Sequence, residues 1–558
     1  MGHTILYNNP QQDILTRLLT VRGVADHGQD FLYPQADKFW IDPSKLHDCE
    51  KGIQRIHDAI SRKEKIVVFG DYDVDGVTSS RIMYQTIRHF LRYPHITIRL
   101  PNRLTDGYGI KTHHIDEASQ RGASLIITVD NGITAFEECL YAHKLGIDVV
   151  VTDHHQSLGT LPQAHALINP QISPDYDFSE ICGAMVAFKV GYHLLKSYTS
   201  DTSIHKLYLQ KMIPMVTIGT VADCMPLTHE NRLIVKMGLD YLNQGIGPTP
   251  LLNFIRHIGI SQTLDTFHIG YLIAPRLNAG GRMISPYHSL QVLMSSGSQQ
   301  YDHFQHLEEL NTLRKQSQES MFKEAEQHIQ HQEHILIAYA DSQQFHEGII
   351  GIVAGRLTEK YHKPSLVLSC NPQQGLAVGS LRGPHYFSII DMLASVSHLC
   401  ERMGGHTQAG GLTIQIDKID QLCQQLYTYC KQHIQQDQLI KHTKIDTVLY
   451  PHECTVYNSN LISKLAPFGE GNPEPSLYLP SVRILKKEKI GSKGNGHLKL
   501  HTQYGDQKLA MMFWGKGHLI QECDQPSYDI IGTLKEDMYN GGVYIVGSDY
   551  MSDGTLVG

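Results

Sequence analysis

The sequence predicts an α/β chain: a parallel-sheet domain, a long connecting helix, a second α/β domain and a small C-terminal antiparallel β-barrel or sandwich. Three observations predict it. Short apolar runs alternate with helical stretches from about residue 50 to 225. A polar, helix-favouring run without proline follows Pro286. The last ~110 residues break into short strands, turns and Pro/Gly clusters.

With 558 residues the chain exceeds one ordinary core, so several domains are expected. The boundaries read as an N-terminal extension (1–45), a catalytic α/β domain (46–285), a connecting helix (286–332), a second α/β domain (333–442) and a terminal barrel domain (443–558). In the first α/β domain the strands are "KIVVFG" (65–70), "ITIRL" (96–100), "SLIITV" (124–129) and "DVVVT" (148–152). Runs that are apolar throughout suit burial on both faces. Stretches such as "SSRIMYQTIRHFLRY" and "AFEECLYAHKLG" supply the crossovers of a parallel sheet. "HFQHLEELNTLRKQSQESMFKEAEQHIQHQ" reads as a mostly solvated connector. "HILIAYA" and "PSLVLSC" begin the second unit, and turns such as "APFGEGNPEP" punctuate the third.

Composition narrows the function classes. Hydrophobic content of 41% with 19% charged residues describes a globular chain. No run of about 18 apolar residues predicts a membrane span, and the first residues lack a secretory pattern. Ten scattered cysteines without a C-x-x-C pair point to reduced thiols and a cytoplasmic location. A net charge of −8 argues against a protein coated in nucleic acid, but it leaves room for a local basic groove.

The chemistry sits at the strand ends. Asp71, Asp73 and Asp75 follow "KIVVF", Asp130 follows "LIITV", and Asp153, His154 and His155 follow "DVVVT". Singly, each has a plain structural reading: Asp75 as a helix cap, Asp130 as a turn residue, Asp153 as another cap. Together they deliver acids and imidazoles to one sheet edge, where open parallel sheets bind ligands. Asp223 stands in the otherwise apolar "GTVADCMPL", where an unpaired carboxylate is costly. Close carboxylates repel unless cations compensate them, and Asp with His is a ligand set for Mn²⁺ or Mg²⁺.

"GDYDVDGVTSS", "VDNGIT", "TDHHQ" and "VADCMPL" resemble the four acidic motifs of the DHH phosphoesterase superfamily. "PNRLTDGYGI", "APRLNAGGR", "GSLRG" and "GGHTQAGGLTI" resemble, in order, the further motifs of its RecJ-type exonucleases. The resemblance implies a DHH domain, a DHH-associated domain and a terminal oligonucleotide-binding (OB-like) barrel. It also implies two divalent metals, and 5′→3′ exonuclease action on single-stranded DNA with a free 5′ end, in recombination and repair. Partners implied are a single-strand-binding protein and a RecQ-type helicase. By the same resemblance Asp73 and Asp75 split between two metals that Asp130 bridges, His154 and Asp223 complete the second site, His155 faces the scissile phosphate, and Asp153 orients an imidazole. Relatives often carry histidine where this chain has Phe69, so the first metal site is expected to be weaker, to be assisted by Asp71, or to be completed by water and DNA. The alternatives are a DHH phosphoesterase of short oligonucleotides or cyclic dinucleotides, and a catalytically silent DNA-binding relative.

Phosphate recognition falls to basic and glycine-rich segments. Arg103, Arg276, Asn278, Arg282, Ser380 and Arg382 are candidate contacts, since guanidinium forks match phosphate oxygens. Gly404, Gly405 and His406 allow a close backbone approach. In the terminal domain Lys486, Lys487, Lys489 and Lys493 precede Trp514, the basic-plus-aromatic combination that holds single strands. The plain reading there is a solvated hairpin with Trp514 in the core.

Overall fold

The computed structural model describes residues 2–157, 159–331, 333–491, 496–521, 523–538 and 541–551. The chain forms two compact units, one of residues 40–225 and 230–439, the other of residues 1–39, 226–229 and 440–558. Strand β1 (Gly2–Ile5) and helix α1 (Ile14–Val21) belong to the second of these.

The first unit is built on β2 (Lys65–Phe69), β3 (Ile96–Arg99), β4 (Ala123–Val129), β5 (Asp148–Thr152) and β6 (Ala166–Ile168). They form an all-parallel sheet in the order β3-β2-β4-β5-β6. Pleating sends Ile66 and Val68 to one face, into a core with Ile82, Phe188 and Met215. These come from helices α2 (Val74–Gln85), α3 (Gly183–Tyr198) and α4 (Thr202–Ala222). Val67 and Phe69 enter the opposite core with Ile115 and Ala142. Each such burial contributes about 1.5–3 kcal/mol, which is why the runs are apolar on both faces. Because β3 and β4 flank β2 on opposite sides, the crevice between the carboxyl ends of β2 and β4 is a topological switch point.

Helix α5 (Ala274–Met283) and the 32-residue α6 (Gly297–His328) follow. The polar sequence of α6 predicts a solvated connector. In the structure it buries a stripe that includes Phe304, Leu307, Leu310, Arg314, Met321 and Phe322. Its apolar residues are few but recur at three- and four-residue spacing, which suffices for one packed face.

A second sheet contains β7 (Gln330–His331), β8 (Leu336–Asp341), β9 (Ser365–Asn371), β10 (Leu376–Arg382), β11 (Cys400–Gly405) and β12 (Ala409–Gln415). Their order is β11-β12-β10-β9-β8-β7, with only β8 and β9 parallel.

In the other unit β13 (His442–Ile445) pairs in parallel with β1, and β14 (Thr447–Val448) lies beside β15 (Leu477–Ile490). Strands β15, β16 (His497–Tyr504), β17 (Gln507–Phe513), β18 (Ser527–Glu536) and β19 (Val543–Met551) close into a five-stranded barrel through a β15–β18 pairing. The expected all-antiparallel pattern is broken once. Strands β18 and β19 pair with each other, and β19 then docks on β17 in parallel. Helix α1 is anchored here: the buried Arg17 guanidinium donates to the Val448 carbonyl at 2.8 Å and pairs with Glu453. Removing either partner of such a pair costs about 3–5 kcal/mol. The first 39 residues therefore group with the barrel. No described helix is long and apolar enough to cross a membrane.

Candidate metal centre

Strand β2 ends at Phe69, and the chain turns through residues 71–73 into α2. Asp73 caps that helix, its Oδ1 accepting from the Gly76 N–H at 3.1 Å. Asp75 does not cap its own helix. Its carboxylate accepts from the Gly183 and Ala184 N–H groups at 2.6 and 2.9 Å, at the start of α3. The positive end of α3 thus holds the carboxylate in place. Gly183 has no room for a side chain, because a Cβ would lie 2.6 Å from the Asp130 Cβ. Asp130 itself has φ 63°, a left-handed turn that aims its side chain back over the sheet end.

Asp153 and His155 form a braced pair. Asp153 Oδ1 accepts from the His154 and His155 N–H groups at 2.7 and 3.2 Å and from His155 Nδ1 at 2.8 Å, while Oδ2 accepts from Ile133 N–H at 2.9 Å. Burial would raise the Asp153 carboxyl, but His155 and these bonds hold it at about 2. Burial would lower His155, but Asp153 lifts it to about 9. Asp153 is therefore an organiser of this pair, with both carboxylate oxygens engaged.

The remaining groups converge. His154 Nε2 lies 3.1 Å from Asp130 Oδ1, 3.6 Å from Asp223 Oδ2 and 3.8 Å from Asp75 Oδ2. Burial and the neighbouring His155 push His154 down to about 3, so its ring is neutral. Burial and the Asp73 charge push Asp75 up to about 6. Burial and surrounding charges hold Asp71, Asp130 and Asp223 well above the ordinary carboxylate range. Asp71 Oδ1, Asp130 Oδ1, His154 Nε2 and Asp223 Oδ2 are buried without a hydrogen-bond partner. Orphaned donors and acceptors of this kind are costly unless something is bound between them. Three trios here have ligand atoms within 4.8 Å of one another: Asp71/Asp73/Asp130, Asp75/His154/Asp223 and Asp130/His154/His155. Asp130 belongs to the first and also lies against His154 of the second, the placement of a bridging carboxylate. The oxygen-rich donor sets fit Mn²⁺ or Mg²⁺. A fourth trio, Asp106/His113/His114, is a loop brace. His114 Nδ1 accepts from Lys111 N–H at 3.1 Å, so Nε2 carries the hydrogen and donates to Asp106 at 3.2 Å.

The phosphate candidates divide. The Arg103 guanidinium lies 5.1 Å from the centroid of the Tyr72 ring. Arg382 donates to Ser380 Oγ at 3.3 Å, and Arg282 donates to the Gly348 carbonyl at 3.3 Å. Burial and then the Arg103 charge lower both Arg282, to about 9, and Arg382. The three guanidinium groups thus lie within electrostatic reach of one another, a cluster of positive charge. Arg276 is not part of it: it pairs with Glu308 on α6 and donates to the Leu272 carbonyl at 2.8 Å. Asn278 is oriented by its Oδ1, which accepts from Val74 N–H at 3.2 Å, so a phosphate contact by this residue rests on its Nδ2 donor. Gly404, Gly405 and His406 lie on an exposed edge, with the His406 ring near-parallel to His155 at 6.3 Å. On the barrel, Lys486 pairs with Glu488, Lys487 donates to the Cys523 carbonyl at 2.8 Å, and Lys489 is exposed. Lys493 lies outside the described residues. Trp514 is 54% exposed, so the core reading of this ring is wrong; Phe513 fills the core instead. Sequence reasoning missed Tyr108, whose hydroxyl lies 3.1 Å from His155 Nδ1 and donates to the Asp130 carbonyl at 3.4 Å. It also missed Gly183. No spacing signal marks either residue.

Known proteins match this architecture. The DHH family, N-terminal domain, matches residues 65–220, the DHHA1 domain residues 332–432, and the RecJ OB domain residues 445–546. The single-stranded-DNA-specific exonuclease RecJ of Escherichia coli is 30% identical over 88% of this chain and 86% of its own length. That of Bacillus subtilis is 31% identical over 94% of this chain, which spans 66% of that relative. The crystal structure of RecJ from Thermus thermophilus in complex with Mn²⁺ shares the fold, with TM-score 0.81 and 22% identity over 100% of this chain and 80% of that one. A manganese-bound exonuclease RecJ structure matches at TM-score 0.59 and 26% identity, over 69% of this chain and 95% of that one.

Proposed function

The chain belongs to the RecJ family, and from that premise we propose that it is a metal-dependent exonuclease. It hydrolyses single-stranded DNA from the 5′ end and releases 5′-mononucleotides. One observation carries the reading: four buried, partnerless ligand atoms from separate strand and helix ends meet beside three arginines. Divalent ions held by Asp71, Asp73, Asp75, Asp130, His154 and Asp223 would supply Lewis-acid polarisation of the scissile phosphate and the attacking water. The protein's own groups do the rest. Asp153 keeps His155 protonated, so its imidazolium offers positive charge to the phosphate as charge develops there. Arg103, Arg282 and Arg382, with Ser380, hold the terminal phosphate. On the barrel, exposed Trp514 and Lys489 provide stacking and backbone attraction for a single strand. Family membership extends the proposal to a cytoplasmic role in recombination and repair, alongside a single-strand-binding protein and a RecQ-type helicase.

The test is incubation with Mn²⁺ and 5′- or 3′-labelled single strands, duplexes and dinucleotides. Early release of labelled mononucleotide from 5′-labelled single strands is expected. Cleavage confined to dinucleotides would assign the chain to the short-oligonucleotide phosphoesterases instead.

A further inference from the structure

Asn278 and Gly281 lie in the segment "PRLNAGGR", whose resemblance points to phosphate contacts. In the structure both also meet the backbone beside Asp73. They stand three residues apart on α5, hence on one face of that helix. That face lies against residues 72–74. Asn278 Oδ1 accepts from Val74 N–H at 3.2 Å. At Gly281 the approach is closer still: a Cβ there would stand 2.5 Å from the Tyr72 carbonyl oxygen, a backbone atom that cannot swing aside. Tyr72 and Val74 flank Asp73, so α5 grips the chain on both sides of a metal-ligand candidate and one residue beyond another, Asp71.

The grip matters because of what the loop has to do. Asp71, Asp73 and Asp130 bring ligand atoms within 4.8 Å of one another, and Asp71 Oδ1 is buried without a partner. Carboxylates so placed repel one another as they ionise, which works to open the loop before an ion arrives. No residue of β2 supplies a ligand to brace it, since Phe69 points into the apolar core. We propose that Asn278 and Gly281 are positioning residues for the first metal site, clamping residues 72–74 so that Asp71 and Asp73 stay gathered against Asp130. The second site has its own support, the α3 N–H groups on Asp75, and does not depend on the clamp.

The inference rests on the two-metal reading above, and Mn²⁺ titration of the full, EDTA-stripped chain by calorimetry tests both. Wild-type protein is expected to bind two ions. Asn278→Ala is expected to weaken one site at least tenfold and leave the other unchanged. Asn278→Asp keeps an acceptor for the Val74 N–H but loses the amide donor; it is expected to keep both sites. Gly281→Ala should reproduce the Asn278→Ala loss, and should it not fold, the two Asn278 variants decide alone. Asn278→Ala with both sites at wild-type affinity would overturn the proposal, and a loss of single-strand affinity alone would make Asn278 a phosphate contact. Wild-type protein that binds fewer than two ions would instead defeat the two-metal reading.

Discussion

Asp130→Asn separates the charge of the centre from its shape. Asp130 sits at φ 63°, a conformation that Asn tolerates better than almost any side chain except glycine. Its ligand oxygen lies within 4.8 Å of those of Asp71 and Asp73. At that separation and an effective dielectric of about 20, each ionised neighbour costs about 3 kcal/mol. Proton uptake by the cluster caps the cost, because one pKa unit is worth about 1.4 kcal/mol. In EDTA the variant should therefore be more stable than wild type, by about 2 kcal/mol. In Mn²⁺ the order reverses. An ion bound only by the native state at 100 times its Kd adds about 2.7 kcal/mol, which the variant forfeits. Urea denaturation in EDTA and in Mn²⁺ measures both differences, and release of 5′-labelled mononucleotide, expected to vanish, reports turnover. A variant less stable than wild type in EDTA would refute the repulsion argument. Unchanged stabilisation by Mn²⁺ would refute the ligand assignment.

Three further outcomes are expected. Asp153→Asn removes the charge that lifts His155 to about 9, so NMR titration of that imidazole should move to or below the ordinary value near 6.5. The wild-type pair stabilises the fold fully below the unfolded histidine value and loses that contribution as pH rises through about 9; loss of its stability on acidification to pH 7 would contradict this. Asp75 is raised from 3.8 to about 6, so here too stability falls as pH rises, over a lower window, because the fold disfavours the charged carboxylate. Metal-free protein should lose on the order of 3 kcal/mol as pH rises from about 4 to 6, and calorimetry in Mn²⁺ should show the loss suppressed. On the barrel, Trp514→Ala should weaken single-strand binding by about 1–3 kcal/mol, with the tryptophan quench lost. Replacing Lys486 and Lys489 by Gln should flatten the salt dependence by about 0.7 in slope per phosphate contact removed. An unchanged slope would clear the barrel of backbone contacts.

The parallel sheet and its acidic edge are legible in the sequence because both depend on local pattern. Runs buried on two faces must be apolar throughout, and polar residues at their carboxyl ends must share a crevice. Contacts set by distant packing are not legible. The Asp75 carboxylate holds the start of a helix 108 residues away, and Asn278 meets a backbone N–H 204 residues away. Nothing near either residue encodes these partners. Arg276 reads as a phosphate contact until Glu308, on the next long helix, occupies it. Phe513 and Trp514 show a subtler limit. Adjacent residues at the end of a strand face opposite ways, and only the barrel's curvature decides which ring is core and which is 54% exposed.

Phe69 brings the two kinds of information together. Four residues before Asp73, where resemblance leads one to expect a histidine ligand, the chain has an apolar ring at 1% exposure. The pleat of β2 points it with Val67 toward Ile115 and Ala142, and its ring lies 4.8 Å from that of His114. A ligand on that side of the strand would face the α/β core. The Phe69 backbone nevertheless serves the site: its carbonyl accepts from Asn131 Nδ2 at 3.3 Å, tying the end of β2 to the residue after Asp130. Asp71, two residues past the strand, brings a carboxylate oxygen within 4.8 Å of the ligand atoms of Asp73 and Asp130 from the loop. A ligand on a strand is held by the sheet, whereas a ligand on a turn has to be held by whatever packs on the turn. With no ligand at position 69, the proposed first metal site depends on α5, where Asn278 and Gly281 touch the chain on either side of Asp73.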